Sequence, residues 1–226
     1  MAAWGNYASG GQLQTRPRYR PIGKPLLCES WLYRPFSAGW FMGVMRGSPL
    51  IDDWVDQEEG FFGGYRFGWD VDHYWAWEMR FGFGSVELSD SQRAKDAQGP
   101  GARSRYDQRR DSNVLLWDVD LLYYPWGDTA WRPYLMAGLG TTRISFEDRF
   151  ADHWDKTMFA VPLAVGLKYR CSSCLALRFE IADNMAFASG NGIKTQHNLS
   201  ATAGLEVRFG GSRTAYWPWN PGRHYW

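Results

Sequence analysis

Hydrophobic and polar residues alternate with a period of two along most of the chain between residues 38 and 209. The clearest stretch is YWAWEMRFGFG, residues 74–84, in which every second residue from Trp75 onwards is Trp, Met or Phe. The residues between them are Ala, Glu, Arg or Gly. Because successive side chains of a β-strand point to opposite faces, this pattern predicts strands with one bulky apolar face and one face of small or charged residues.

Eight stretches share this alternation, and turn-forming residues separate them. The predicted strands span residues 39–45, 61–69, 74–86, 113–124, 134–146, 157–169, 175–187 and 198–209. No helical periodicity stands out among them. Pro162 lacks the N–H that a strand ladder needs, so we expect a β-bulge at this position of the sixth strand.

The connections between the predicted strands alternate in length. Those after the second, fourth and sixth strands are short, whereas the others are longer, and the segment of residues 87–112 is the longest. Short turns at one end and long loops at the other are typical of an up-and-down barrel. The sequence therefore predicts an all-β fold, an eight-stranded antiparallel up-and-down β-barrel.

Such a barrel has two arrangements, which differ in the face that lines its interior. A soluble lipocalin-like calyx would hold the apolar face inside, whereas a transmembrane barrel would turn it towards lipid. The less apolar face is rich in Gly and Ala and carries five acidic and five basic residues. These ten residues are Arg66, Glu78, Arg80, Asp118, Asp120, Lys168, Arg178, Glu180, Glu206 and Arg208.

The composition of this face favours the transmembrane arrangement. Small residues make room for long charged side chains in a narrow lumen, where balanced charges can pair. Phe, Trp and Leu side chains from eight strands would overfill the same space. We therefore predict a transmembrane barrel with a salt-bridge network in its lumen, and keep the calyx as the alternative. The fifth strand is ambiguous, because Arg143 shares a face with Leu135 and Leu139.

Aromatic residues cluster at the short-turn ends of the predicted strands. Trp and Tyr favour the interface between membrane and water. The predicted interfacial girdle consists of Trp40, Trp69, Trp75, Tyr123, Tyr134, Tyr169 and Phe209, and only Leu175 interrupts it. This girdle is a second argument for a transmembrane barrel.

The stretches LALRFEIAD and SATAGLEVRF resemble the closing strands of small eight-stranded outer-membrane barrels, the OmpA-like and OmpX-like family. Phe209 resembles the aromatic residue that ends the assembly signal of these barrels. The resemblance covers roughly residues 38–209 and rests on the pattern of strands, girdle and loops. It implies the outer membrane of a Gram-negative-type bacterium, insertion from the periplasm by the barrel-assembly machinery, short periplasmic turns and exposed outer loops.

Two segments flank the predicted barrel of residues 38–209. Residues 1–37 are rich in Gly, Pro, Arg and Tyr without a period, and we interpret them as an irregular basic arm. Residues 210–226 form an aromatic tail, for which we keep three interpretations: a disordered end, an interfacial segment or a contact for a periplasmic partner. Residues 1–30 contain no apolar run of about 7–15 residues, so we expect that the start codon lies further upstream or that the chain has been trimmed.

Two sets of residues are candidates for chemistry. Cys171 and Cys174 flank a predicted hairpin turn, where they either form a turn disulfide or remain free thiols. His197 and Ser200 lie near the outer end of the eighth strand, but residues three apart point to opposite faces of a strand. A nucleophile and its base must lie within hydrogen-bonding reach, so this pair does not support catalysis.

The predicted role is structural or one of surface interaction. The formal net charge is +1, which favours no nucleic acid partner. We expect no enzyme activity, no cofactor, no metal and a monomer that contacts outer-membrane lipid and binds an unidentified surface ligand through residues 87–112. A narrow pore and a lipid-modifying enzyme are the alternatives.

Overall fold

The computed structural model describes residues 30–48, 55–90, 96, 110–147, 153–187 and 195–211. Its strands are β1 Phe36–Gly47, β2 Val55–Asp70, β3 Trp75–Asp90, β4 Arg110–Tyr123, β5 Trp131–Glu147, β6 His153–Arg170, β7 Leu175–Phe187 and β8 Gln196–Phe209. A single 3₁₀ turn, Trp31–Tyr33, precedes β1. Within the described ranges, no helix is both long enough and apolar enough to cross a membrane.

Each strand pairs antiparallel with the next, and β8 pairs with β1 to close the barrel. Phe36 at the start of β1 lies opposite Trp69 on β2 and Phe209 on β8. The predicted eight-stranded up-and-down barrel is therefore confirmed. Most strands continue beyond the predicted bounds, because backbone pairing persists where the chain becomes polar and the hydrophobic alternation stops.

The bulge expected at Pro162 is absent, so that prediction is wrong. Ala137 pairs with Leu163 and Gly140 with Ala160, so β5 and β6 keep one register on both sides of the proline. A slip of one residue would exchange the inner and outer faces of the strand, which costs more than one missing hydrogen bond. A register shift occurs instead between β2 and β3, between Gln57 and Gly60.

The outer surface of the barrel is apolar over a band of nearly constant height. On β5 the outward residues are apolar from Trp131 to Leu139, and on β8 from Phe209 to Leu199. From end to end these runs are eight and ten residue steps long, which at about 3.3 Å per step and a tilt of about 40° correspond to roughly 20–25 Å. That height matches the apolar band of about 25 Å in outer-membrane barrels, so the apolar face lies outside and the calyx is excluded.

A ring of outward aromatic side chains lies at the short-turn ends of the strands. Its members are Phe36, Trp69, Trp75, Tyr123, Trp131, Tyr169 and Phe209. Trp131 and Tyr169 pack with ring centroids 4.4 Å apart, and Trp75 and Tyr123 with centroids 4.8 Å apart.

The predicted girdle is wrong at two of its positions. Trp40 faces outward but lies opposite Tyr65 and Leu205, four residues beyond Phe36, because β1 begins earlier than its hydrophobic pattern indicates. Tyr134 faces the lumen and is buried, and Trp131 occupies the end of β5 in its place. The same assignment resolves the ambiguity of β5: Arg143 faces outward, where it pairs with Asp155 on β6.

Candidate functional site

All ten charged residues predicted for the lumen point inward, and none is more than 5% exposed. They alternate along their strands with the lipid-facing residues, so the period of two fixes their direction. Nine of them form ion pairs, which fall into two layers along the barrel axis.

The layer in the middle of the barrel, here the central cluster, is organised around Glu180 on β7. The cluster consists of Arg66, Glu78, Arg80, Asp118, Tyr134, Arg178 and Glu180. Arg66 donates to both carboxylate oxygens of Glu180, each at 2.7 Å, and Arg178 Nη2 donates to Oε2 at 2.7 Å. Arg178 also donates to Glu78.

A second part of the central cluster joins β3 and β4. Arg80 Nη2 lies 2.7 Å from Asp118 Oδ2, and Arg80 Nε lies 3.0 Å from Asp118 Oδ1. Arg80 Nη1 reaches Glu180 Oε1 at 3.4 Å and so connects the two parts. Since bidentate arginine–carboxylate pairs are geometrically specific, these contacts fix the side chains across the lumen.

The layer near the short turns, here the lower cluster, consists of Asp70, Arg132, Lys168, Glu206 and Arg208. Lys168 Nζ lies 2.8 Å from Glu206 Oε2, and Arg208 Nη1 lies 2.7 Å from Glu206 Oε1. Asp70 accepts from Arg132 Nη1 at 3.0 Å and also from Arg208.

Sequence reasoning missed Asp70 and Arg132, which lie just outside the predicted bounds of β2 and β5. Continuing the alternation of Arg66 and Gly68 by one step would have placed Asp70 in the lumen. With these two residues, the buried charged side chains of the described region number six acidic and six basic. The lumen is therefore balanced in charge when all twelve are ionised.

Asp120 is the exception among the ten predicted residues. It is fully buried, and neither carboxylate oxygen has a hydrogen-bond partner. It lies opposite Glu78 on β3 and Gly138 on β5, while the nearby Arg80 is held by Asp118. Its inclusion in the predicted salt-bridge network is therefore wrong.

Little space remains between the two clusters. A cavity of about 10 Å³ is bordered by Ser37, Arg66, Glu78, Arg178 and Glu206, which is room for about one water molecule. On the loop side of the central cluster lies an apolar layer of the interior. Its residues are Phe41, Met45, Phe62, Val86, Val114, Ile144, Met158, Ala160 and Ala186.

The other predicted chemical residues do not form a site. Cys171 and Cys174 are exposed free thiols. Of the two predicted alternatives, the structure therefore has the free thiols and not the turn disulfide. His197 faces outward and its Nδ1 lies 2.9 Å from Asp183 Oδ2, whereas Ser200 is buried in the lumen wall. Among the described residues, no group of three or more His, Cys, Asp or Glu could hold a metal ion.

Several predicted segments extend outside the described residues. They are most of the basic arm of residues 1–37, most of the loop of residues 87–112 and most of the tail of residues 210–226. Within the arm, residues 30–35 are described and pack against the barrel, and residues 36 and 37 already belong to β1.

Known structures are similar to this chain at low sequence identity. The Neisserial surface protein A is 16% identical with a TM-score of 0.52, and the match covers 77% of this chain and 97% of that chain. The N-terminal β-barrel domain of Pseudomonas aeruginosa OprF is 14% identical with a TM-score of 0.49, and the match covers 78% and 98% of the two chains. A comparison with curated proteins finds no match.

The family comparison covers most of the barrel. A family described as the outer membrane protein beta-barrel domain matches residues 46–209, from the end of β1 to the last residue of β8. Together with the apolar outer band and the polar lumen, this match shows that the chain belongs to the outer membrane protein β-barrel domain family.

Proposed function

We propose that this protein is a monomeric, non-conducting barrel in the outer membrane of a Gram-negative-type bacterium, with a structural role and a role in surface contact. The observation that carries this proposal is the central cluster, whose arginines and carboxylates meet across the lumen from β2, β3, β4 and β7. An ion entering the lumen would have to displace paired charges that few water molecules could solvate.

Two further features support a closed lumen. The apolar layer around Phe41, Met45 and Phe62 fills the barrel on the loop side of the central cluster. The lower cluster and the buried Trp31 fill the short-turn side. A narrow pore would need an open polar path through the barrel. At this level the buried side chains, which include the polar Asn184 and Ser200 beside the apolar ones, leave little room for such a path.

Planar-bilayer recording tests the absence of conduction. Refolded protein is expected to give no conductance steps above the bilayer baseline in concentrated KCl, where a general porin serves as the positive control. Steps that appear with folded protein and vanish with boiled protein would establish the pore instead.

The role in surface contact rests on the strands that extend past the apolar band. Outward residues beyond this band on β3 to β6 are polar, among them Glu87, Asn113, Arg143 and Asp155. These polar positions indicate that the strand pairs extend beyond the membrane. Residues 91–109 connect β3 and β4 at this end, and we place the contact with a surface ligand in this connection. Outer-membrane lipid surrounds the band, and the barrel-assembly machinery is the expected partner during insertion.

Proteolysis of intact cells tests the exposure of this connection. Trypsin is expected to cut within residues 91–109, which contain several Arg and Lys residues, while the two fragments remain together as a folded barrel. Protection of these residues in intact cells, with cutting only after the outer membrane is opened, would reverse the orientation and remove the proposed surface role.

A further inference from the structure

The segment before β1 enters the short-turn mouth of the barrel. Ser30 caps the 3₁₀ turn Trp31–Tyr33, and its side chain accepts a hydrogen bond from the Leu32 N–H at 3.2 Å. The turn directs Trp31 inward, where only 1% of the residue remains exposed. A large aromatic side chain that precedes the first strand is thus as buried as the residues of the lumen.

Hydrogen bonds hold Trp31 to opposite sides of the mouth. Its backbone N–H donates to Asp128 Oδ1 at 2.9 Å, and its indole Nε1–H donates to the Thr129 carbonyl at 2.7 Å. Its own carbonyl accepts from Arg208 Nη2 at 3.1 Å. Asp128 and Thr129 lie between β4 and β5 and Arg208 lies on β8, so these bonds span nearly the full diameter of the barrel.

Guanidinium groups surround the indole ring. The Cζ atoms of Arg208, Arg132 and Arg170 lie 4.6, 5.2 and 5.5 Å from the centre of the ring. Cation–π attraction is strongest with Trp and grows when the partners are desolvated. Arg132 and Arg208 belong to the lower cluster, so the ring lies directly against that cluster at its short-turn side.

We infer that Trp31 is a plug built into the fold, which closes the short-turn mouth and keeps water away from the lower cluster. The plug belongs to a segment outside the strands, and its bonds to the β4–β5 turn and to β8 hold it across the mouth. The lower cluster gains from this closure because its ion pairs are stronger where water is excluded.

A thiol reporter in the lumen tests the plug. Ser37 is buried opposite Arg208 and borders the same small cavity as Glu206, so Ser37→Cys places a thiol beside the lower cluster. The reporter is combined with Cys28→Ser, Cys171→Ser and Cys174→Ser and is labelled with a negatively charged methanethiosulfonate in detergent micelles. Adding Trp31→Ala is expected to raise the labelling rate at least tenfold.

Two controls separate the plug from a general loosening of the barrel. Ser200→Cys carries the same reporter on the lumen wall beyond the central cluster, and its labelling rate is expected to be the same with and without the Trp31→Ala substitution. Trp31→Phe keeps a ring in the mouth but loses the bond to Thr129, so its labelling rate at Ser37→Cys is expected to lie between the rates with Trp31 and with Trp31→Ala.

The folded barrel is expected to migrate differently on a denaturing gel before and after boiling. This difference gives the folded fraction of each variant, and all labelling rates refer to that fraction. Unchanged labelling at Ser37→Cys in folded Trp31→Ala would overturn the inference, as would equal acceleration at both reporters. If Trp31→Ala does not fold, Trp31→Phe decides the question alone, and a rate equal to that of the parent would then overturn the plug.

Discussion

Gly166 on β6 lies directly opposite Tyr134 on β5, and the tyrosine ring occupies the space that a side chain at position 166 would need. A Cβ atom at position 166 would lie 2.2 Å from both Cζ and the hydroxyl oxygen of Tyr134. The ring cannot easily move, because its hydroxyl donates to Glu180 at 2.6 Å and accepts from Arg178 Nε at 2.6 Å. The glycine therefore allows Tyr134 to join the central cluster.

Gly166→Ala is expected to destabilise the barrel by about 1–3 kcal/mol, because the methyl group displaces Tyr134 from the central cluster. The free energy of unfolding in urea, measured in phospholipid vesicles, checks this value. Gly166→Ala made in a Tyr134→Ala background is the matched control, and there it is expected to cost much less. An equal cost in both backgrounds would mean that the ring does not determine the need for glycine.

The same pair explains which parts of the structure could be predicted from sequence. The strands and the inward direction of residues such as Arg80 and Glu180 follow from local alternation, which depends only on backbone geometry and on lipid outside the barrel. Tyr134 was misplaced because an aromatic residue near a strand end fits an interfacial girdle, while the face of β5 was ambiguous. Its direction follows from the face assignment of the whole of β5, and the space for its ring depends on Gly166, a residue of the neighbouring strand.

Two other features show the limits of local pattern. Asp70 continues the alternation of β2 by one step, so a longer strand assignment would have included it. Trp31 has no periodic signal at all, because its burial depends on Asp128, Thr129 and Arg208, which are distant in sequence.

Asp118 and Asp120 lie on the same face of β4 but differ in their partners, which predicts opposite responses to the same substitution. Asp118→Asn leaves Arg80 without its main carboxylate and is expected to cost about 3–5 kcal/mol. Asp120→Asn replaces a buried carboxyl group whose oxygens accept no hydrogen bond, so it is expected to change stability by less than about 1 kcal/mol or to increase it. Urea unfolding in vesicles measures both, and a loss in Asp120→Asn as large as in Asp118→Asn would reveal a partner of Asp120.

The depth of outward positions on β4 predicts how the barrel tolerates a charge. Val119 faces outward within the apolar band, four residues from the short-turn end at Tyr123, whereas Asn113 lies beyond the band. Val119→Arg is expected to destabilise the inserted barrel by about 2–4 kcal/mol and Asn113→Arg by about 0–1 kcal/mol. Urea unfolding in vesicles gives the change in the free energy of unfolding for both variants. Equal destabilisation by the two substitutions would contradict the position assigned to the membrane.

The thiols in the turn between β6 and β7 can report which side of the membrane the short turns face, and we expect the periplasmic side. Cys171 and Cys174 are exposed there as free thiols, so both should react with a maleimide that can reach them. In the Cys28→Ser background, a maleimide carrying a polymer too large to pass an outer-membrane pore is expected to label neither thiol in intact cells and both after the outer membrane is permeabilised. Ala102→Cys in a Cys28→Ser, Cys171→Ser, Cys174→Ser background is the matched control, and its label should appear in intact cells, since residue 102 belongs to the connection at the opposite end of the barrel. Labelling of the turn in intact cells would place the short turns outside, and it would move the lower cluster and Trp31 to the outer mouth.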